Sequence, residues 1–70
     1  MRDTTIGKYR DDIGYSQQTL AGKLNVTRTT MSFYETKKFL PTLEVAEKLA
    51  GILGKTVGQL YTEDELRLIK

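Results

Sequence analysis

The order of residue types between Ser16 and Tyr34 admits few folds. Leu20, Ala21 and Leu24 fall at the spacing of one helical face, and Ser16 stands ahead of them as a capping residue. Asn25 follows at once, and Asn tolerates the left-handed backbone that ends a helix. Thr27 is the next capping residue, and a further helix of roughly Arg28 to Glu35 carries Met31 and Tyr34 inward. Two short helices joined by so tight a turn cross steeply and approach closely. Ala21 is the small residue such an approach needs. Leu20, Leu24, Val26, Met31 and Tyr34 seal the pair onto a core, which leaves Arg28, Thr29, Ser32 and Phe33 facing outward together.

The flanking segments supply that core. Ile6, Tyr9, Arg10 and Ile13 fall at helical spacing before Gly14, predicting a first helix from about Thr5 to Ile13. Thr36 to Leu40 read as a loop, and Pro41 enforces an extended residue before it. Thr42 caps a fourth helix whose inner stripe is Leu43, Ala46, Leu49, Ala50 and Leu53, and Gly54 ends it. Thr56 with Gln59 makes a capping box for a short fifth helix holding Val57 and Leu60. Thr62 with Glu65 makes a second box. The tail 62–70 is compatible with another turn or two of helix, with Leu66 and Ile69 on one side, or with a short strand through Leu66-Arg67-Leu68. Five helices predict a compact all-α bundle, a single domain over 1–70 with its core at about 5–61.

Composition narrows the chemistry. The 70 residues contain no cysteine and no histidine, so disulfides, thiolate sites, the usual general base and the commonest zinc ligand are all missing. Asp11-Asp12 and Glu63-Asp64-Glu65 are the acidic clusters, but adjacent helical residues point in different directions, so they read as solvated faces. No enzyme, metal or cofactor is expected. No apolar run approaches the ~20 residues of a membrane span, and Met-Arg-Asp-Thr-Thr lacks the core of a signal peptide, so the expectation is a cytoplasmic protein without membrane contact. Charge is uneven. Arg2, Lys8, Arg10, Lys23, Arg28, Lys37 and Lys38 face only Asp3, Asp11, Asp12 and Glu35 in residues 1–40, whereas residues 41–70 are slightly acidic. The basic half is the half with the paired helices, which suits a polyanion.

The pattern is a helix-turn-helix, and the chain resembles the lambda-repressor and Cro family, also called the Xre family. The matching runs are Tyr15-Ser16-Gln17-Gln18-Thr19-Leu20-Ala21, Leu24-Asn25-Val26-Thr27-Arg28, Tyr34-Glu35, Pro41-Thr42-Leu43 and Leu53-Gly54 with Leu60-Tyr61, in order over about residues 5–61. The family often has Gly where Asn25 and Thr36 stand.

The resemblance implies a lambda-repressor-like DNA-binding domain whose third helix enters the major groove of double-stranded DNA. Arg28, Thr29 and Phe33 are the implied base contacts, with Ser32 beside them. The chemistry agrees, since Arg forks onto guanine, Thr exchanges one hydrogen bond and an apolar ring packs on a thymine methyl. A cation at the position of Arg28 also opposes the helix dipole and so needs a reason. Gln17 resembles the family's phosphate-binding glutamine, at a helix start that favours an anion. Thr27, Lys37 and Lys38 are the other expected phosphate contacts. Arg10 and Glu35 resemble a structural ion pair of the family. The expected activity is a sequence-specific regulator, a repressor acting as a homodimer on a palindromic operator, with Leu66, Leu68 and Ile69 as candidate dimer contacts. Regulation would come from concentration, competition or a partner protein. The alternative is an antitoxin or other protein-interaction module on the same scaffold. Its sign would be Phe33, Phe39 and Leu40 in one apolar patch with the lysines pointing elsewhere.

Overall fold

The computed structural model describes residues 5–69, which form six α-helices: α1 Thr5–Asp12, α2 Gln17–Leu24, α3 Arg28–Glu35, α4 Leu43–Leu53, α5 Val57–Leu60 and α6 Glu63–Leu68. Each start has a local cause. Ser16, Thr27, Thr42, Thr56 and Thr62 lie in extended backbone, and each side chain accepts from the amide three residues on. Both capping boxes close, with Gln59 and Glu65 reaching back to the amides of Thr56 and Thr62. The second box settles the tail as helix α6.

Four helix ends, at Gly14, Asn25, Lys37 and Gly54, also share one geometry, a left-handed residue closed by two reversed amide bonds. Asn25 (φ 59°) donates to Gly22 O and Val26 to Ala21 O; Gly54 (φ 70°) and Lys55 repeat this after α4. After α3 the left-handed residue is Lys37 (φ 63°), while Thr36 stays right-handed and donates its hydroxyl to Ser32 O at 3.1 Å.

The core gathers Ile6, Leu20, Ala21, Leu24, Met31, Ala46, Leu49, Ala50, Leu53, Leu60, Tyr61 and Ile69. Helices α2 and α3 make the most extensive helix–helix contact, with the small Ala21 buried. Two expected core residues lie outside. Ile13 is 41% exposed, because the turn at Gly14 ends α1 at Asp12 and carries Ile13 off the inner face. Leu43 is 44% exposed, because it is the first residue of α4; Val45 and Ile52 pack against the core from that helix instead.

A polar side chain joins the elements around this core. Arg10 Nε donates to Glu35 Oε2 at 2.9 Å, joining α1 to the last residue of α3. Arg10 Nη1 donates to Tyr15 O at 2.8 Å, so the same guanidinium also fixes the chain entering α2. Gly7 leaves room for this pair, since a Cβ there would stand 3.2 Å from Glu35 Oε1. Glu35 is 6% exposed, the one buried charged residue among those described. Removing one partner of a buried pair strands the other. Glu35→Ala should therefore lower unfolding stability by about 3 kcal/mol in urea denaturation. Replacing both partners, Arg10→Met with Glu35→Leu, should recover most of that loss; no recovery would mean the pair itself, rather than its completeness, holds the helices.

Candidate nucleic-acid interface

The N-terminus of α2 and the outer side of α3 meet at a shallow, open pocket lined by Gln17, Arg28, Thr29, Ser32 and Phe33. These residues come from two elements with ten positions of chain between Gln17 and Arg28, and the Asn25 turn is what brings them together. Arg28 and Thr29 are exposed, whereas Gln17, Ser32 and Phe33 are half-buried. The face therefore combines a guanidinium, an amide, two hydroxyls and an aromatic ring. That inventory matches the donors, acceptors and methyl groups on the edges of base pairs.

Thr27 sits at the rim, exposed, and serves first as the cap of α3. Its Oγ1 accepts from the Thr30 amide at 3.1 Å and donates to Thr30 Oγ1 at 2.9 Å. Its proton is thus already engaged within the protein. Ser16 caps α2 in the same way, with Oγ 3.0 Å from the Thr19 amide.

The two lysines after α3 part company. Lys38 is exposed, with Nζ 4.9 Å from the centroid of the Phe33 ring, beside the pocket. Lys37 turns inward: its Nζ donates to Glu65 Oε1 at 2.9 Å and lies 4.7 Å from the Tyr61 ring centroid, with 8% of its side chain exposed. The side chain expected at a phosphate is thus engaged with Glu65 and Tyr61 in this structure. The left-handed backbone of Lys37 reverses the chain and aims this side chain at α6 rather than along α3.

The candidate dimer residues do not share a surface. Leu66 and Ile69 pack against the protein's own core, and only Leu68, 70% exposed, faces outward. On a helical turn Leu66 and Ile69 share the inner face and Leu68 points away, whereas a strand would have put Leu66 and Leu68 on one face and Ile69 on the other. The sign set for an interaction module is mixed. Phe33 and Phe39 do meet, edge to face with centroids 4.9 Å apart, but Leu40 packs on the core and Lys38 stays on the Phe33 ring. Phe39, which the sequence offers only as part of an apolar patch with Phe33 and Leu40, neighbours the pocket through its contact with Phe33. The signal for that contact is an aromatic residue just beyond the reversal that follows α3.

Burial alone would raise the Glu65 carboxyl, but the Thr62 amide and Lys37 outweigh it and hold the group below its ordinary value of 4.5. Tyr61 shifts the other way, its phenol raised by burial, then by Glu65 and Tyr34. Its hydroxyl has no hydrogen-bond partner among the described residues. A carboxyl depressed on folding stabilises the protein above its unfolded pKa, and that share is lost as pH falls through the lower folded value. Glu65→Gln keeps an acceptor for Thr62 but drops the charge. It should melt below the parent protein at pH 7, and the two melting temperatures should converge toward pH 3; a constant gap would assign the effect to packing.

A helix-turn-helix family model matches residues 6–60. An uncharacterised HTH-type transcriptional regulator of Archaeoglobus fulgidus is 34% identical over 65 residues, covering 93% of each chain. One of Methanothermobacter thermautotrophicus is 35% identical over 63 residues, 89% of this chain and 91% of that one. Among solved structures, the complex of the SinR and SinI proteins matches with a TM-score of 0.74 at 29% identity, over 96% of this chain and 66% of the matched chain. No helix among the described residues is long and apolar enough to cross a membrane.

Proposed function

The chain belongs to the helix-turn-helix family of transcriptional regulators, of the lambda-repressor and Cro type, and from that premise we propose that it is a repressor acting as a homodimer on a palindromic operator. The family is a DNA-binding class and not an enzymatic one. The observation that carries the proposal is the convergence of Gln17, Arg28, Thr29, Ser32 and Phe33 on one outward face. In this reading α3 lies in the major groove. Arg28 forks onto a guanine, Thr29 and Ser32 exchange hydrogen bonds with base edges, and Phe33 packs on a thymine methyl. Gln17 and the amides at the start of α2 take one phosphate, with Lys38 and the rim of Thr27 supporting the backbone on either side.

One such face reads only a few base pairs, so a second copy on a symmetry-related half-site supplies the remaining specificity. Leu68 is the outward apolar residue of α6 and the proposed centre of that contact. Leu68→Lys should leave the fold intact and shift the sedimentation mass from dimer to monomer; an unchanged mass would move the contact elsewhere. In this reading the protein acts in the cytoplasm. A regulatory protein partner is the second reading, favoured by the structural likeness to a chain solved in complex with another protein.

Selection from a random duplex pool at near-physiological salt tests the main reading. A palindrome with half-sites about one helical turn apart should emerge. Arg28→Ala should then weaken binding by roughly 1–3 kcal/mol and relax the preference at one base position in each half-site. A uniform loss over all sequences would instead make Arg28 a phosphate contact, and enrichment of no motif would contradict the operator reading.

A further inference from the structure

Phe39 is an exposed aromatic residue that the fold does not use. With 54% of its surface in solvent it contributes little to the core. Among the described residues its ring contact is the edge-to-face pair with Phe33, centroids 4.9 Å apart and planes at 81°. The backbone enforces that meeting. The amides of Lys38 and Phe39 both donate to Phe33 O, at 3.0 and 3.4 Å, so the loop folds back over the last turn of α3. Lys38 Nζ lies over the same ring at 4.9 Å.

We infer that Phe39 is a positioning residue for base recognition: it fixes the Phe33 ring so that the ring reads a thymine methyl. The inference deepens the proposed function and rests on its assignment of Phe33 to a base edge. A phenylalanine on an open helix face has several staggered rotamers. Here Phe39 and Lys38 both pack on the ring, which also lines the pocket with Gln17, Arg28, Thr29 and Ser32. A held ring presents one fixed apolar surface next to the Arg28 guanidinium. A methyl in contact with it is buried, and one buried methyl is worth about a 4-fold change in affinity. A wandering ring would contact either base of a pair without preference. The function of Phe39 is therefore selectivity rather than affinity.

The test replaces thymines in the selected duplex one at a time by deoxyuridine, which removes only the methyl. The parent protein should lose about 4-fold at one position per half-site. Phe33→Ala should lose nothing further there. Phe39→Ala and Phe39→Leu should each show less than about 2-fold dependence on that methyl, with unchanged salt dependence. Phe39→Tyr keeps the ring and should keep the dependence. Full methyl dependence in Phe39→Ala and Phe39→Leu would overturn the inference, as would an equal weakening on thymine and deoxyuridine duplexes. A selected duplex without any methyl-sensitive position would overturn it while leaving operator binding intact. Failure of the parent protein to select any duplex would overturn the operator reading and this inference together.

Discussion

The Arg10 guanidinium is the group on which three parts of the chain converge. It reaches Glu35 at the end of α3, the Tyr15 carbonyl ahead of α2 and, at 3.1 Å, Asp11 on its own helix. A buried ion pair contributes little net stability, because desolvation offsets most of its Coulomb energy. Its effect here is geometric. The forked donors accept only one arrangement of α1, α2 and α3, and an apolar contact would accept several. Gly7 is part of the same constraint, since any larger residue would press on Glu35. The pair thus fixes the C-terminal end of α3, and the Asn25 turn with the Thr27 cap fixes its start. A short helix held at both ends presents its outer side chains with little freedom, which is what reading base edges requires.

The chain beyond α3 is where the fold meets a local cost. A lysine in the left-handed region is disfavoured by about 1–2 kcal/mol relative to glycine. The contacts of Lys37 with Glu65 and Tyr61 offset that strain, and they tie α6 to the end of α3. The stranded Tyr61 hydroxyl is the other cost in the same region, and its ring is kept by the core and by the cation above it. The two lysines therefore divide their tasks, Lys37 with the fold and Lys38 beside the pocket.

What the sequence made legible is what is local. Caps and capping boxes act over three residues, so Ser16, Thr27, Thr42, Thr56 and Thr62 could be read directly, as could the reversals at Asn25 and Gly54. The inner residues of α2 and α3 followed from period, and their outer residues from subtraction. What escaped depends on distant neighbours. Lys37 and Glu65 are separated by 28 positions, and nothing near Lys37 announces that its side chain turns inward. Arg10 and Glu35, 25 positions apart, were paired only through the family resemblance. Ile13 and Leu43 look like stripe residues but sit at helix termini, where the stripe no longer faces the core. Leu66 and Ile69 were apolar enough for an interface, yet a chain this short needs them for its own interior.

The central claim is that the outer face of α3, with the start of α2, is the surface that meets DNA. Amide and side-chain NMR shifts of the labelled protein, titrated with its selected duplex, test this most directly. The account predicts changes concentrated at Gln17, Thr27 to Thr29, Ser32, Phe33, Lys38 and Phe39, with Lys37, Glu65 and Tyr61 unmoved. Changes confined to α6 around Leu68, with α3 silent, would contradict it and put the DNA contact on α6 instead.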